Sequence, residues 1–399
     1  MCSRFCATVL VKVLFVIVFG ISGLFNTHAQ AAAEPEHVVF GVSLDLTGSH
    51  AHMSAMQKKG FLLWEKHVNA AGGILGRQVQ VSILDNQGCL EKLYDHYQQM
   101  LSTDKADFVF GPYSSAHTET VVPLFEEYKI PVLASGASAP SLWEHGYKYL
   151  FGLYSPADQY AQGFLEIMSM RNIRNIAMIN SPDIFSRSAA QGALQWAQRL
   201  GMNITIFEEV ELDYDEFVAV AARAREKDAQ ALMKFGYFEA SVMMRRAILD
   251  ADYKPAAYYS TVGPVSDAYY ENLRELSENT FSTAIWRYHS NLVYPGVHRF
   301  NADFELSYGQ APNYHAATAY AAGQLMVRAM ETSGSFDLQQ LREVLAQKRA
   351  FTVLGRYGVN YRGAQIRHVP FTVQWQRGQQ EIVWPPSLST SQPRLEYGR

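Results

Sequence analysis

Short apolar segments alternate with longer segments in which apolar residues recur every three or four positions, from Val38 to the region of Trp286. The short segments predict strands and the longer ones amphipathic helices. Strands are predicted at 38–44, 79–84, 108–110, 132–134, 176–179, 204–207, 231–235, 257–259 and 280–285. Helices are predicted at 57–70, 90–101, 116–128, 159–170, 189–200, 217–226 and 240–251. This alternation is typical of βαβ units and predicts an α/β fold with doubly wound parallel sheets.

The C-terminal third of the chain follows a different pattern. Helices are predicted at 299–308, 316–332 and 338–346, and strands at 369–375 and 381–384. Residues 385–399 are rich in Pro and Ser and are predicted to be disordered. A chain of this length exceeds what one hydrophobic core usually holds, so we expect two lobes.

Two loops are notable because each follows an apolar strand and precedes a predicted helix. They occupy residues 110–115 and 133–138. In a doubly wound fold, ligands bind beyond the carboxyl ends of the strands, and helix N-termini present free N–H groups that favour an anion. The loops are therefore predicted to form a socket for one carboxylate, with Ser115 and Ser138 adding hydroxyl donors. The alternative is that these serines only cap their helices.

The N-terminus has the pattern of a secretory signal. Arg4 and Lys12 precede an apolar run at 13–25, and an A-x-A cleavage pattern follows at 29–31. The run is shorter than the roughly 20 apolar residues that a membrane span needs. We expect residues 1–31 to be removed and the mature chain to act outside the cytoplasm, with an uncleaved anchor as the alternative.

Charge and cysteine content narrow the functional classes. Without the predicted signal, 32 basic and 38 acidic residues remain, and basic residues occur at most in pairs. This balance makes nucleic acid and anionic lipid poor candidates for partners. Cys2 and Cys6 leave with the signal, so Cys89 has no partner for an internal disulfide.

The sequence carries no recognised catalytic or cofactor motif. It lacks the nucleophile elbow, the phosphate loop and the dinucleotide-binding turn. There is no C-x-x-C pair, so we predict neither a metal site nor a cofactor. His50, His52 and His117 are interpreted as surface or capping residues, although a hydrolase with an acid/base site remains an alternative.

Several segments together carry a family resemblance, namely 41–48 (GVSLDLTG), 69–77 (NAAGGILGR), 110–112 (FGP), 130–140 (IPVLASGASAP) and 355–363. Taken together in this order and at these spacings, the segments resemble those of periplasmic solute-binding proteins of the leucine/isoleucine/valine-binding type, which are the receptors of ABC importers. The resemblance covers residues 38–384. The resemblance implies the type I periplasmic binding fold, with crossovers near Ser155, Trp286 and Ala350. The implied lobes are 34–155 plus 287–350 and 156–286 plus 351–384.

The resemblance also implies a ligand site. The ligand-binding residues that it indicates are Ser114, Ser115, Ala137 and Ser138 on the first lobe, and Met53, Phe185, Tyr237 and Val262 at positions that line the cleft. Cys89 matches one half of a family disulfide whose other half would be Ser114, so that bridge cannot form.

The main departure from the family is Val262. The family has an acidic residue at this position, which pairs with the ligand's ammonium group. A buried ammonium without a counter-charge carries a large desolvation cost. Asp183, Glu239 or Asp267 would have to substitute, or the ligand lacks an ammonium group.

These observations predict a periplasmic substrate-binding protein that closes around a small carboxylate-bearing solute. The expected partners are that solute and the membrane permease of an ABC transporter, with the receptor itself a monomer. A periplasmic sensor without a transport role is the alternative.

The signal pattern predicts that the mature chain begins within a few residues of Glu34. N-terminal sequencing of protein exported by a Gram-negative host measures this. A membrane-bound product that retains Met1 would contradict it.

Overall fold

The computed structural model describes residues 37–103 and 106–395. The predicted signal at 1–31 and the final residues of the predicted disordered tail, 396–399, lie outside the described residues. Within the described residues, no helix combines the length and the apolar character that crossing a membrane requires.

Strands and helices alternate along the described chain. The strands are β1 (Val38–Leu44), β2 (Val79–Asp85), β3 (Phe108–Val109), β4 (Val132–Ala134), β5 (Leu150–Gly152), β6 (Asn175–Asn180), β7 (Asn203–Glu209), β8 (Ala231–Phe235), β9 (Ala257–Ser260), β10 (Thr280–Ala284), β11 (Ala350–Thr352), β12 (Gly355–Tyr357), β13 (Phe371–Gln376) and β14 (Gln379–Trp384). The α-helices are α1 (Ala51–Ala70), α2 (Leu90–Ser102), α3 (Ser115–Glu127), α4 (Gln162–Met170), α5 (Ile184–Arg199), α6 (Tyr214–Glu226), α7 (Phe238–Asp250), α8 (Asp267–Leu273), α9 (Val297–Tyr308), α10 (Tyr314–Ser333) and α11 (Leu338–Gln347).

The sheets are mainly parallel and divide between two lobes. In the first lobe β2-β1-β3 form one parallel sheet, and β4 and β5 form a parallel pair. In the second lobe the strand order is β14-β13-β10-β9-β8-β6-β7. Only β13 and β14 are antiparallel there, because they return after the last crossover. The predicted α/β class with doubly wound parallel sheets is confirmed.

Helices α1 and α10 cross at very short range in the first lobe. A Cβ atom on Gly60 would lie 2.2 Å from the carbonyl oxygen of Ala316, and one on Gly323 would lie 2.2 Å from the ring of Trp64. Only glycine allows this approach, since real side chains would clash. The crossing holds the middle of α1 against α10.

The third crossover lies later in the chain than the expected position near Ala350. Tyr357 on β12 donates its hydroxyl to the carbonyl of Leu345 at 2.9 Å, and the N–H of Gly152 donates to the carbonyl of Gly363 at 2.8 Å. These bonds keep the β11–β12 hairpin and the loop after it in the first lobe. The chain changes lobe only beyond Gly363, because β13 pairs with β10.

The tail after Pro385 is ordered as far as the structure describes it, which corrects the prediction of disorder. The side-chain amide of Gln374 donates to the carbonyl of Arg394 at 2.6 Å, and the N–H of Arg394 donates back at 2.9 Å. Gln376 donates similarly to the carbonyl of Gln392 at 2.8 Å. Amide side chains on β13 thus satisfy the backbone of a segment whose composition alone suggested no structure.

Candidate ligand-binding site

The two loops predicted to form the socket lie side by side in the first lobe. The N–H of Gly111 donates to the carbonyl of Leu133, and the N–H of Ser114 donates to the carbonyl of Gly136, both at 3.1 Å. A Cβ atom on Gly136 would lie 2.7 Å from the Cα of Tyr113. The absence of a side chain at this position is therefore what lets the loops touch.

Ser115 joins the loops through its hydroxyl. Its Oγ accepts hydrogen bonds from the N–H groups of Ser138 at 3.2 Å and Ala139 at 3.1 Å. The helix cap is the neighbouring Ser114, whose Oγ accepts from the N–H of His117 at 3.2 Å and whose φ is +84°. The alternative interpretation of Ser115 as a helix cap is therefore wrong.

Ser138 also differs from a simple helix cap. The loop that contains it leads into a single 3₁₀ turn, Pro140–Trp143, and not into an α-helix. The hydroxyl of Ser138 accepts a hydrogen bond from the hydroxyl of Tyr160 at 3.1 Å. The second loop is thus held by backbone and side-chain contacts, while only the first loop opens an α-helix.

Tyr237 reaches from the second lobe to the socket. It stands between β8 and α7, and its hydroxyl lies beside the side chain of Ser114 and the backbone N–H of Ser115. Burial raises the pKa of this phenol well above its usual value, so it is uncharged at neutral pH. The ring of Phe185 packs against that of Tyr237 with centroids 5.4 Å apart, and Tyr160 packs on Phe185 at 5.6 Å.

The other two predicted lining residues are buried. Met53, in the first turn of α1, belongs to the same hydrophobic cluster as Phe185 and Val262. Ala137 belongs to a cluster within the first lobe, formed by α2, α3 and the loops beside them. The structure therefore groups Ser114, Ser115, Ser138, Phe185 and Tyr237 through direct contacts, with Met53 and Ala137 in the surrounding core.

Val262 occupies a strained turn at the end of β9. Its φ is +56° and its ψ is −61°, and the N–H of Gly263 donates to the carbonyl of Thr261 at 2.6 Å. This is a γ-turn of the rare kind, which is costly for a β-branched residue. The hydroxyl of Thr261 also binds both backbone groups of Gly236, so the turn is linked to the residue before Tyr237.

The acidic residues suggested as substitutes at this position are engaged or exposed. The carboxylate of Asp183 caps α5 by accepting from the N–H and the hydroxyl of Ser186, at 2.9 and 2.6 Å. Glu239 is exposed. Asp267 lines a different cavity of about 410 Å³, together with Arg287.

Buried histidines lie beside the site, and among them His315 is the residue that sequence reasoning missed. His117 and His315 are only 5 % and 1 % exposed, so the surface interpretation of His117 is wrong. His50 is half-buried and occupies the N-cap position of α1, although its side chain makes no cap hydrogen bond. The Nδ1 atom of His50 lies 3.0 Å from Oδ2 of the buried Asp45. His52 is exposed, as expected. The sequence signals for these residues are the position of His117 two residues after Ser115 and that of His50 after the first strand.

Comparison with known proteins identifies the class. A model of the periplasmic binding protein family matches residues 37–380. A "Leu/Ile/Val-binding protein homolog 8" from Brucella abortus is 24% identical over 386 residues, covering 90% of this chain and 93% of the relative. A leucine-, isoleucine-, valine-, threonine- and alanine-binding protein from Pseudomonas aeruginosa is 21% identical and covers 88% and 93%.

Solved structures show the same fold. The branched-chain amino acid substrate-binding protein LivJ from Streptococcus pneumoniae, in complex with isoleucine, has a TM-score of 0.79 at 18% identity, covering 88% of this chain and 100% of that one. A solute-binding protein from R. palustris in complex with benzoate has a TM-score of 0.76 at 14% identity, covering 91% and 100%. The chain belongs to the periplasmic binding protein family, and within it to the type I proteins related to the Leu/Ile/Val-binding group.

Replacing Ser115 by Ala should destabilise the ligand-free protein more than replacing Ser138. The first change leaves two buried N–H groups without an acceptor, each costing about 1–3 kcal/mol. The second removes the acceptor of one tyrosine hydroxyl, about 0.5–1.5 kcal/mol. Urea unfolding of Ser115→Ala and Ser138→Ala measures the free energies, and equal small losses would contradict the role of Ser115.

Stability should fall as the pH is lowered from about 6.5 to about 4. Burial lowers the pKa of His117 to about 4 and that of His315 to about 3, so the unfolded chain takes up protons in this range before the folded one does. Each histidine can contribute up to about 3 kcal/mol. Urea unfolding at pH 7, 6 and 5 measures the slope.

A matched pair of variants assigns the pH effect to the buried rings. His315→Gln should flatten the slope, whereas His145→Gln, at an exposed position, should leave it unchanged. A wild-type stability that is constant over this pH range would refute the assignment.

Proposed function

We propose that this chain is the periplasmic substrate-binding component of an ABC importer, and that it captures a small carboxylic acid without an ammonium group. The observation that carries the proposal is the contrast between the two ends of the cleft. The first-lobe loops present hydroxyl and backbone N–H donors, while the position that is acidic in the family holds Val262, which is 4 % exposed.

The donors suit a carboxylate. The hydroxyls of Ser114, Ser115 and Ser138 and the N–H at the start of α3 lie within one small region. Hydrogen bonds to an ionised group are stronger than those between neutral groups, typically about 1.5–3 kcal/mol. The Tyr237 hydroxyl lies against two of these groups, so a bound carboxylate would take its place.

The rest of the cleft suits an apolar or aromatic body. The neighbouring rings of Tyr160, Phe185 and Tyr237, which pack edge-to-face and tilted, present aromatic surface beside the socket. The relatives in this fold include a complex with isoleucine and a complex with benzoate, an aromatic acid that has no ammonium group. The absence of a free acidic partner at the end of β9 favours the second type of ligand for this chain.

Closure of the lobes supplies the means of capture. Tyr237 belongs to the second lobe and the socket to the first, so separating the lobes would open the site. The first and third crossover segments are joined by a hydrogen bond, since the hydroxyl of Ser155 lies 2.9 Å from Nδ1 of His368. We infer that the lobes rotate about these crossovers and that the closed form docks on the membrane permease.

Mass spectrometry of the small molecules released when purified protein is denatured tests the proposal directly. A carboxylic acid without an amino group is the expected species. Stoichiometric release of leucine, isoleucine or valine would contradict the ligand class and leave the family assignment intact.

Val262→Glu should reverse the preference between amino acids and their des-amino counterparts. Wild type should bind 4-methylpentanoate or 3-phenylpropanoate at least as well as leucine or phenylalanine, because an ammonium would be buried without a partner. The new carboxylate supplies that partner. A thermal-shift panel with the paired acids measures the order of binding.

Val262→Gln is the matched control, since it adds similar bulk at the same strained backbone position without a charge. It should keep the wild-type order. If Val262→Glu and Val262→Gln behave alike, the charge at this position does not select the ligand.

A further inference from the structure

Three histidines lie around the ring of Tyr113 beside the socket. Ring centroids are 5.5 Å apart for His50 and Tyr113, 5.1 Å for His315 and Tyr113, and 5.5 Å for His50 and His117. His50 precedes α1, and the other two lie in the first turns of α3 and α10. We call His50, His117 and His315 the histidine cluster.

Each ring of the histidine cluster uses one nitrogen and buries the other without a partner. His50 binds Asp45 through Nδ1, the ring of His117 bonds the carbonyl of Tyr113, and Nδ1 of His315 lies 3.5 Å from the hydroxyl of Tyr154. The nitrogens buried without a hydrogen-bond partner are Nε2 of His50, Nδ1 of His117 and Nε2 of His315. Buried polar atoms are nearly always paired in folded proteins, so three in one place indicate a missing polar group.

The protonation of these rings limits what that group can be. Burial lowers the pKa of His117 to about 4 and that of His315 to about 3, so both are uncharged at neutral pH. A neutral imidazole has one donor and one acceptor nitrogen. Because the ring of His117 donates to a carbonyl, its buried Nδ1 is an acceptor and needs a donor.

The side chain of Tyr237 extends from the histidine cluster to the socket and so gives the distance between them. Its ring centroid is 4.5 Å from that of His50, while its hydroxyl lies beside Ser114 and the N–H of Ser115. One aromatic ring therefore spans the distance between the two polar regions. A ligand with an acid group at one end of a ring and a second polar group at the other would match this spacing.

We propose that the histidine cluster is a subsite for a hydroxyl group, and that the solute is a hydroxylated aromatic acid whose carboxylate lies at Ser115. This inference rests on the proposed function, since it takes the carboxylate socket as given. A hydroxyl supplies a donor to the unpaired acceptors without adding a charge beside the neutral imidazoles. A second carboxylate could only accept, and an ammonium, which would also donate, is tested separately below.

Across the described ranges, no set of three or more His, Cys, Asp or Glu side chains is arranged to hold a metal ion. The acidic residue in contact with the histidine cluster, among those described above, is Asp45. Its Oδ2 accepts from the N–H of His50 at 2.9 Å, while its Oδ1 is buried without a hydrogen-bond partner and also needs a donor.

Calorimetry with benzoate, 3-hydroxybenzoate, 4-hydroxybenzoate and 4-(aminomethyl)benzoate tests the subsite. The wild type should bind one of the hydroxylated acids about ten-fold more tightly than benzoate, the size expected when a buried acceptor gains its donor. His117→Leu and His315→Leu should lower that ratio towards one while benzoate still binds. A structural defect would instead weaken both acids equally.

His52→Leu is the control, because His52 is exposed and lies outside the histidine cluster. The ratio of its affinity for the hydroxylated acid to its affinity for benzoate should equal that of wild type. Equal binding of benzoate and the hydroxybenzoates by wild type would overturn the subsite and leave the proposed function standing. Tightest binding of 4-(aminomethyl)benzoate would show a cation site instead, and no binding of any acid would overturn both proposals.

Discussion

The hydroxyl of Ser115 is the contact on which the candidate site depends. By accepting from two N–H groups of the neighbouring loop, it makes two separate strand ends into one surface. Gly136 permits the same approach, because any side chain there would meet the backbone of Tyr113. A socket for a small anion requires donors at fixed separation, and loops held only by their own strands would not provide it.

The second lobe meets this surface through a strained backbone. Val262 keeps a positive φ because its neighbour Thr261 is held on two sides. The hydroxyl of Thr261 both donates to the carbonyl of Gly236 and accepts from its N–H. The hydroxyl of Ser241 donates to the carbonyl of Thr261 at 3.1 Å. Such strain persists where the surroundings over-determine it, often at ligand sites. Here the same contacts place Tyr237, so the turn that lacks the acidic side chain also sets the aromatic contact with the socket.

The interior of the cleft is polar but largely uncharged. Neutral phenols and imidazoles lie beside the socket, and the buried carboxylate of Asp45 accepts hydrogen bonds from His50 through Oδ2 alone. An environment of this kind discriminates between ligands by their shape and by the direction of their hydrogen bonds, because a buried donor or acceptor that is left unpaired costs binding free energy. The proposed ligand, whose only charge is its carboxylate, fits such an environment.

The sequence by itself determined the fold class, most of the strands and the two loops, because apolar periodicity reports local burial. It placed helix starts too late, as at α5 and α6, where Asp183 and Asp213 cap first turns that apolar periodicity alone does not mark. It also missed β5 and the ordered tail, which depend on partners distant in sequence. Only the tertiary structure decided that Ser115 joins the loops, that the third crossover follows Gly363, and that His50, His117 and His315 meet. Those contacts join residues up to 265 positions apart, from His50 to His315, and no local pattern carries information about which distant side chains will share a cavity.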